Sequence, residues 1–131
     1  EPPADHVGFH FDGVRQVADL RAFTHRLAGL AGLPADRIDS LLICVDEAAA
    51  NAIRHGGGAG ECRMWTTAAE VFCEITEPKG TFDTALAGYL PPDTSHVDGR
   101  GLWIIRQLSD AVDVRATEHG TIVRMHMSRR R

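Results

Sequence analysis

The chain has 131 residues, of which 44% are apolar and 24% charged, and its formal net charge is −4. This length and composition are those of one globular domain and exclude two full-size domains. The net negative charge argues against a nucleic-acid-binding face, since consecutive arginines occur only at Arg129–Arg131. No apolar run predicts a membrane span and no signal peptide is recognisable, so we expect a cytoplasmic protein.

The first 55 residues predict one strand followed by two helices. Weak alternation over Val7–Phe11 is typical of a short strand. Apolar residues at helical spacing over Val14–Leu30 predict an amphipathic helix that ends in the Gly29–Gly32 segment. A second helix should begin near Pro34 and run to His55, where three consecutive glycines stop it.

The remaining residues predict two hairpins separated by a long loop and a helix. The predicted elements are strands over 61–67 and 70–76, a loop over 81–98, a helix over 101–108, and strands over 111–116 and 121–127. A loop of this length in a compact domain is either functional or disordered. The order β-α-α-β-β-loop-α-β-β predicts one domain over residues 1–131 with an α+β fold. We expect a two-layer α/β sandwich, with helices on one face of a mixed, mostly antiparallel sheet.

Three polar residues share one face of the second helix. Glu47, Asn51 and His55 are four residues apart, so they stack on successive turns, on a different face from the apolar residues. An amide oxygen can ligate a hard cation such as Mg²⁺, and a carboxylate one turn away can take a proton from an attacking hydroxyl. Spacing alone also fits an ordinary solvated face, so the interpretation needs a second segment.

That second segment is glycine-rich and precedes the last predicted helix. Gly99-Arg100-Gly101 would present free backbone N–H groups and the positive end of the helix dipole to phosphate oxygens. Glu77 ends a predicted strand just before the long loop, which could close over the phosphates as a lid. In this order, the features indicate a Mg-nucleotide site.

The three cysteines point to a reducing environment. Cys44, Cys62 and Cys73 form no C-x-x-C pair and lie in apolar segments, so we expect buried, reduced thiols. The seven histidines are scattered, and we expect no zinc site.

The motifs resemble those of the histidine-kinase-like ATPase superfamily, the Bergerat nucleotide fold, over nearly the whole chain. Within it, the sequence is most similar to the anti-sigma-factor serine kinases of the RsbW and SpoIIAB type. The motif E-x-x-x-N-x-x-x-H-G is matched by Glu47, Asn51, His55 and Gly56. The glycine motif is matched by Gly99, Arg100, Gly101 and Leu102, and the closing G-T by Gly120 and Thr121.

The resemblance implies ATP and Mg²⁺ as cofactors and a role for each matched residue. Asn51 would ligate Mg²⁺ and Glu47 would be the general base. Glu77 would bond the adenine amino group, Thr121 would line the adenine pocket, and the backbone of Gly99–Leu102 would hold phosphates. The resemblance further implies phosphorylation of a STAS-domain anti-sigma-factor antagonist, sequestration of a sigma factor, and a homodimer.

One segment departs from the family pattern. The usual D-x-G-x-G is here Glu77-Pro78-Lys79-Gly80-Thr81, so the carboxylate is one methylene longer and a lysine replaces the first glycine. Lys79, the only lysine in the chain, either hinders nucleotide binding or reaches a phosphate. Three hypotheses remain open: a serine/threonine protein kinase, a non-catalytic or degenerate binding module, and a regulatory domain excised from a larger signalling protein.

Overall fold

The computed structural model describes residues 3, 5–55, 59–77, 97–117 and 120–129, with only the backbone at 14, 54–55, 97–101 and 116–117. The elements in chain order are β1 (Val7–Asp12), a 3-10 turn (Val14–Gln16), α1 (Val17–Leu30), α2 (Ala35–His55), β2 (Ala59–Thr66), β3 (Glu70–Glu77), α3 (Val97–Leu108), β4 (Ala111–Thr117) and β5 (Gly120–Ser128). The predicted order of helices and strands and the α+β class are confirmed. The predicted loop lies outside the described residues as far as residue 96.

The junction between α1 and α2 follows from a glycine and a proline. Gly32 adopts a φ of +83°, which L side chains rarely allow, and the N–H of Leu33 then donates to the carbonyl of Ala28 at 3.1 Å. Pro34 cannot continue α1, and its carbonyl accepts from the N–H groups of Arg37 and Ile38, both at 2.9 Å. The two helices are therefore separate.

The five strands form one sheet in the order β1-β2-β3-β5-β4. All four pairings among the described strands are antiparallel, in agreement with the expected, mostly antiparallel sheet. The β2–β3 turn is held by Thr67, whose Oγ1 accepts from the N–H groups of Ala69 at 3.3 Å and Glu70 at 3.1 Å. The outer strands of the described sheet are β1 and β4.

The helices pack on one face of this sheet, as expected. Buried apolar side chains at alternate strand positions meet the apolar face of α2, which contacts β2, β3 and β5. The opposite face carries ion pairs: Glu74, 1% exposed, lies 2.8 Å from Arg124 and 3.6 Å from Arg63. Among the described residues, no helix is both long and apolar enough to span a bilayer.

Candidate nucleotide site

Chain connectivity brings the end of α2 to the end of the sheet where β3 stops and β5 begins. We call this end of the sheet the Glu77–Thr121 edge. Only residues 56–58 separate His55 from Ala59, a path of at most about 14 Å. The start of β2 pairs with the end of β3, since Glu61 lies opposite Thr76. The last turn of α2, the end of β3 and the start of β5 therefore meet at the same edge.

Two of the predicted site residues face each other at this edge. Glu77 on β3 and Thr121 on β5 are direct cross-strand partners, 4% and 0% exposed. The Thr121 hydroxyl has no hydrogen-bond partner among the described residues. A buried hydroxyl without a partner costs free energy, so this position suits a polar ligand atom.

Glu47 and Asn51 lie one turn apart on α2. Asn51 is 2% exposed, whereas Glu47 is half-buried. Burial raises the pKa of the Cys44 thiol to about 12, and the charge of Glu47 contributes to the increase. The carboxylate of Glu47 is therefore close enough to Cys44, one turn earlier on α2, to affect the ionisation of its thiol. The His55 side chain lies outside the described residues.

The first turn of α3 lies level with Asn51. Arg37, in the first turn of α2, forms an ion pair with Asp110, just after α3, and the Sγ of Cys44 lies 4.0 Å from the carbonyl oxygen of Ile105. The contact nearer the start of α2 lies nearer the end of α3, so the two helices run antiparallel. At 1.5 Å per residue, Asn51 lies about 10 Å beyond Cys44, and the same distance back from Ile105 reaches the first turn of α3.

The glycine motif lies inside α3, whereas the sequence predicted it ahead of the helix. The helix starts at Val97, so Gly99 lies within its first turn, Arg100 and Gly101 directly follow, and none of the three lies in a loop that precedes the helix. Backbone N–H groups of a first turn have no intrahelical partner and can still face an anion. Leu102 lies further along, and its side chain, 1% exposed, belongs to the core. Lys79 lies outside the described residues.

One residue that shapes this edge was not indicated by the motifs. A Cβ at Gly60 would lie 2.5 Å from the Cζ of Phe11 and 2.9 Å from the carbonyl oxygen of Thr76. The available signal was the small-residue run over residues 56–60, which the sequence analysis used only to end α2. Gly60 lets β2 enter the sheet directly beside the end of β3.

The family model for the histidine kinase-like ATPase domain matches residues 12–127. The chain belongs to this family. The match covers the segments that carry Glu47, Asn51, Glu77 and Thr121, so the predicted family is confirmed. No curated protein sequence matches this ATPase domain.

Two solved structures share the fold of this ATPase domain. The structure of the RsbU and RsbW domains of Rv1364c from Mycobacterium tuberculosis superposes with a TM-score of 0.72 at 13% identity, covering 97% of this chain and 33% of that one. The SiaB–SiaC complex from Pseudomonas aeruginosa gives 0.62 at 9% identity, covering 91% and 88%. The chain thus spans about a third of the length of the first structure. At these identities the likeness concerns the fold.

The residues present fit a Mg-nucleotide. A partnerless hydroxyl, a buried carboxylate and a buried amide lie at the edge that the first turn of α3 approaches. Among the described side chains, no group of three His, Cys, Asp or Glu could hold a metal ion by itself. Mg²⁺ is usually bound through one or two protein ligands together with phosphate oxygens and water, and the buried amide of Asn51 could be one of these ligands.

Proposed function

We propose that this ATPase domain binds Mg-ATP where α2, α3, β3 and β5 meet, and transfers the γ-phosphoryl group to a serine or threonine of a partner protein. The observation that carries the proposal is the antiparallel packing of α3 on α2, which aligns the first turn of α3 with Asn51. A nucleotide there would extend from the Glu77–Thr121 pair to that turn.

Each residue has a defined task in this proposal. Glu77 accepts a hydrogen bond from the base amino group, and Thr121 offers its buried hydroxyl beside it. The backbone N–H groups of the first α3 turn hold phosphate oxygens. The amide oxygen of Asn51 is the metal ligand; Mg²⁺ supplies charge neutralisation when bound. Glu47, less buried than Asn51, accepts the proton of the attacking hydroxyl.

We further propose a partner of the anti-sigma-factor pathway. The fold neighbours include an RsbW domain solved with RsbU, and SiaB in complex with SiaC. By this analogy the acceptor is a STAS-domain antagonist, the alternative ligand is a sigma factor, and the active form is a homodimer. The analogy is at the level of the fold and concerns partner class alone.

Calorimetric titration of Mg-ATP tests the binding step. We expect binding by the wild type and a large loss for Asn51→Ala, with circular dichroism checking that the variant folds. Phosphotransfer from labelled ATP to STAS-domain proteins then tests Glu47→Gln, which should bind Mg-ATP normally and lose transfer. The matched control is Asp39→Asn, an exposed carboxylate on the same helix. Normal transfer by Glu47→Gln would remove Glu47 as the base.

The departure at Glu77-Pro78-Lys79 favours a second candidate, a binding module without turnover. Such a module would give no heat with Mg-ATP and would still bind its protein partner. Lys79→Gly distinguishes the two roles expected of the lysine. The substitution should increase nucleotide affinity if the lysine is an obstruction, and decrease it if the lysine contacts a phosphate.

A further inference from the structure

A cavity of about 340 Å³ lies at the end of the sheet opposite the candidate nucleotide site. Its apolar wall is formed by Leu27 and Leu30 near the end of α1, Val7 at the start of β1 and Met64 near the end of β2. The lining also carries two charged residues, Arg129 after β5 and Asp5 before β1. The volume is large enough for a small ligand or for side chains of a bound segment.

Two exposed apolar side chains stand at the rim of this cavity. Among the described residues, three large apolar side chains are exposed, and two of them line the cavity: Leu30 at 78% and Val7 at 45%. The third, Ile43, lies on α2 and does not line it. Exposed apolar side chains gathered at a cavity mark a binding surface more often than scattered ones do.

The free edge of β1 runs away from this rim. The N–H of Asp12 donates to the Oε1 of Gln16, so it points away from β2. Because this orientation alternates along an antiparallel strand, the backbone N–H and C=O groups of Gly8 and His10 also face the free edge. The strand contains neither Lys nor Pro, and its register with β2 is continuous, so within the described part of the chain it lacks the usual protection against an added strand.

Arg129 is held in place. Its backbone N–H donates to the carbonyl of Ala69 and its Nη1 to the carbonyl of Thr67, both at 2.9 Å. The Nη2 atom lies 3.9 Å from the point where a Cβ on Gly32 would be, so the guanidinium also lies beside the α1–α2 junction. The guanidinium is therefore fixed against the β2–β3 turn and can meet a carboxylate.

We infer that the cavity and the free edge of β1 form a docking site for an extended, acidic and aliphatic segment of a partner protein. The segment adds a strand to β1, inserts an aliphatic side chain beside Leu30 and Val7, and directs a carboxylate to Arg129. A fatty acid would also suit the cavity and Arg129, but it would make no use of the backbone groups of Gly8 and His10. The peptide is therefore the better match.

A labelled octapeptide of alternating valine and glutamate tests the site by fluorescence polarisation against the full chain. We expect binding, and weaker binding by the matched valine–lysine peptide, which cannot pair with Arg129 and can reach only Asp5. Leu30→Glu should weaken binding at least about tenfold, because it replaces an apolar contact by a repelled charge. Ile43→Glu is the matched control on another exposed apolar residue and should bind as wild type.

A second part of the test concerns the backbone N–H groups on the outer side of β1. Gly8→Pro removes one outward N–H and should weaken binding, whereas His10→Ala keeps its N–H and should not. Thermal unfolding of each variant checks the fold. Equal binding of both peptides, indifference to Leu30→Glu, or displacement of a fluorescent probe by laurate but not by the valine–glutamate peptide would each overturn the proposal. So would a dimer in sedimentation that Gly8→Pro dissociates, with no peptide bound by the wild type.

The nucleotide proposal and this one fail separately. The cavity shares no described residue with the Glu77–Thr121 edge. Peptide binding by Asn51→Ala at wild-type affinity would show that the docking site does not depend on nucleotide.

Discussion

Glu77 and Thr121 lie directly opposite each other on β3 and β5, and both side chains are buried. Side chains paired in this way have Cβ atoms about 4.5–5.5 Å apart, so a flat ring that contacts one of them is within reach of the other. The pair links the end of β3, which precedes residues 78–96, to the start of β5, the last strand in the chain. It is therefore the base-recognition end of the proposed site.

The first prediction concerns the Thr121 hydroxyl. Thr121→Val keeps the shape and removes a buried hydroxyl that has no partner among the described residues, so the free energy of unfolding should stay equal or rise. If that hydroxyl bonds the nucleotide, the Kd for ADP should rise about five- to tenfold. Thr121→Ser, which keeps the hydroxyl, is the matched control. Wild-type affinity for Thr121→Val would place the residue outside the site.

The second prediction concerns the ion pairs on the helix-free face of the sheet. Glu74 lies between Arg63 and Arg124, so Glu74→Ala removes the carboxylate that they share, while Arg63 keeps Glu61 at 3.2 Å. We expect a loss of about 3 kcal/mol in the free energy of unfolding, measured with urea. Asp113→Ala removes an exposed carboxylate, 62% accessible, and should change stability by less than about 0.5 kcal/mol. Equal effects of the two substitutions would contradict the assignment.

The sequence predicted each helix and strand of the described residues, most of them from apolar periodicity and β1 from weak alternation. It predicted the family because the Glu47–Asn51 motif, the glycine motif and the closing G-T occur in the family order. It placed the start of α3 too late, since glycines at 99 and 101 have low helix propensity and packing on α2 outweighs that propensity. The two hairpin pairings were predicted, but the long-range pairings were outside its reach: the β3–β5 register joins residues about fifty positions apart. The burial of Glu74 depends on arginines of two other strands and has no local signal.

The third prediction concerns alkaline pH. Burial, with a contribution from Glu47, raises the pKa of Cys44 from 9.0 to about 12, and the hydrogen bond with Cys62, together with burial, raises the pKa of Cys73. The unfolded chain releases these protons near pH 9 while the folded chain keeps them. Stability is thus complete below pH 9 and falls as the pH rises towards 12, by about 1.4 kcal/mol per pH unit for each thiol.

Urea unfolding at pH 8.0, 9.5 and 10.5 measures this slope. Cys44→Ala should have a shallower decline than the wild type, whatever its stability at pH 8. The comparison of slopes removes the contribution of other groups that titrate in this range. Identical slopes would show that Cys44 ionises equally in both states.

The fourth prediction compares two glycines with opposite surroundings. Gly60→Ala would bring a methyl group against Phe11, which is fully buried, and against the Thr76 carbonyl, so it should cost about 1–3 kcal/mol of stability. Gly29 is exposed on α1 with nothing within 4 Å of an added Cβ, so Gly29→Ala should stabilise the fold by about 0.5–1 kcal/mol. Urea unfolding gives both values. Because Gly60 borders the proposed nucleotide edge, its variant should also bind ADP more weakly, whereas Gly29→Ala should bind it as wild type. A neutral Gly60→Ala would mean that Phe11 and the end of β3 can yield, which is incompatible with a rigid base-binding edge.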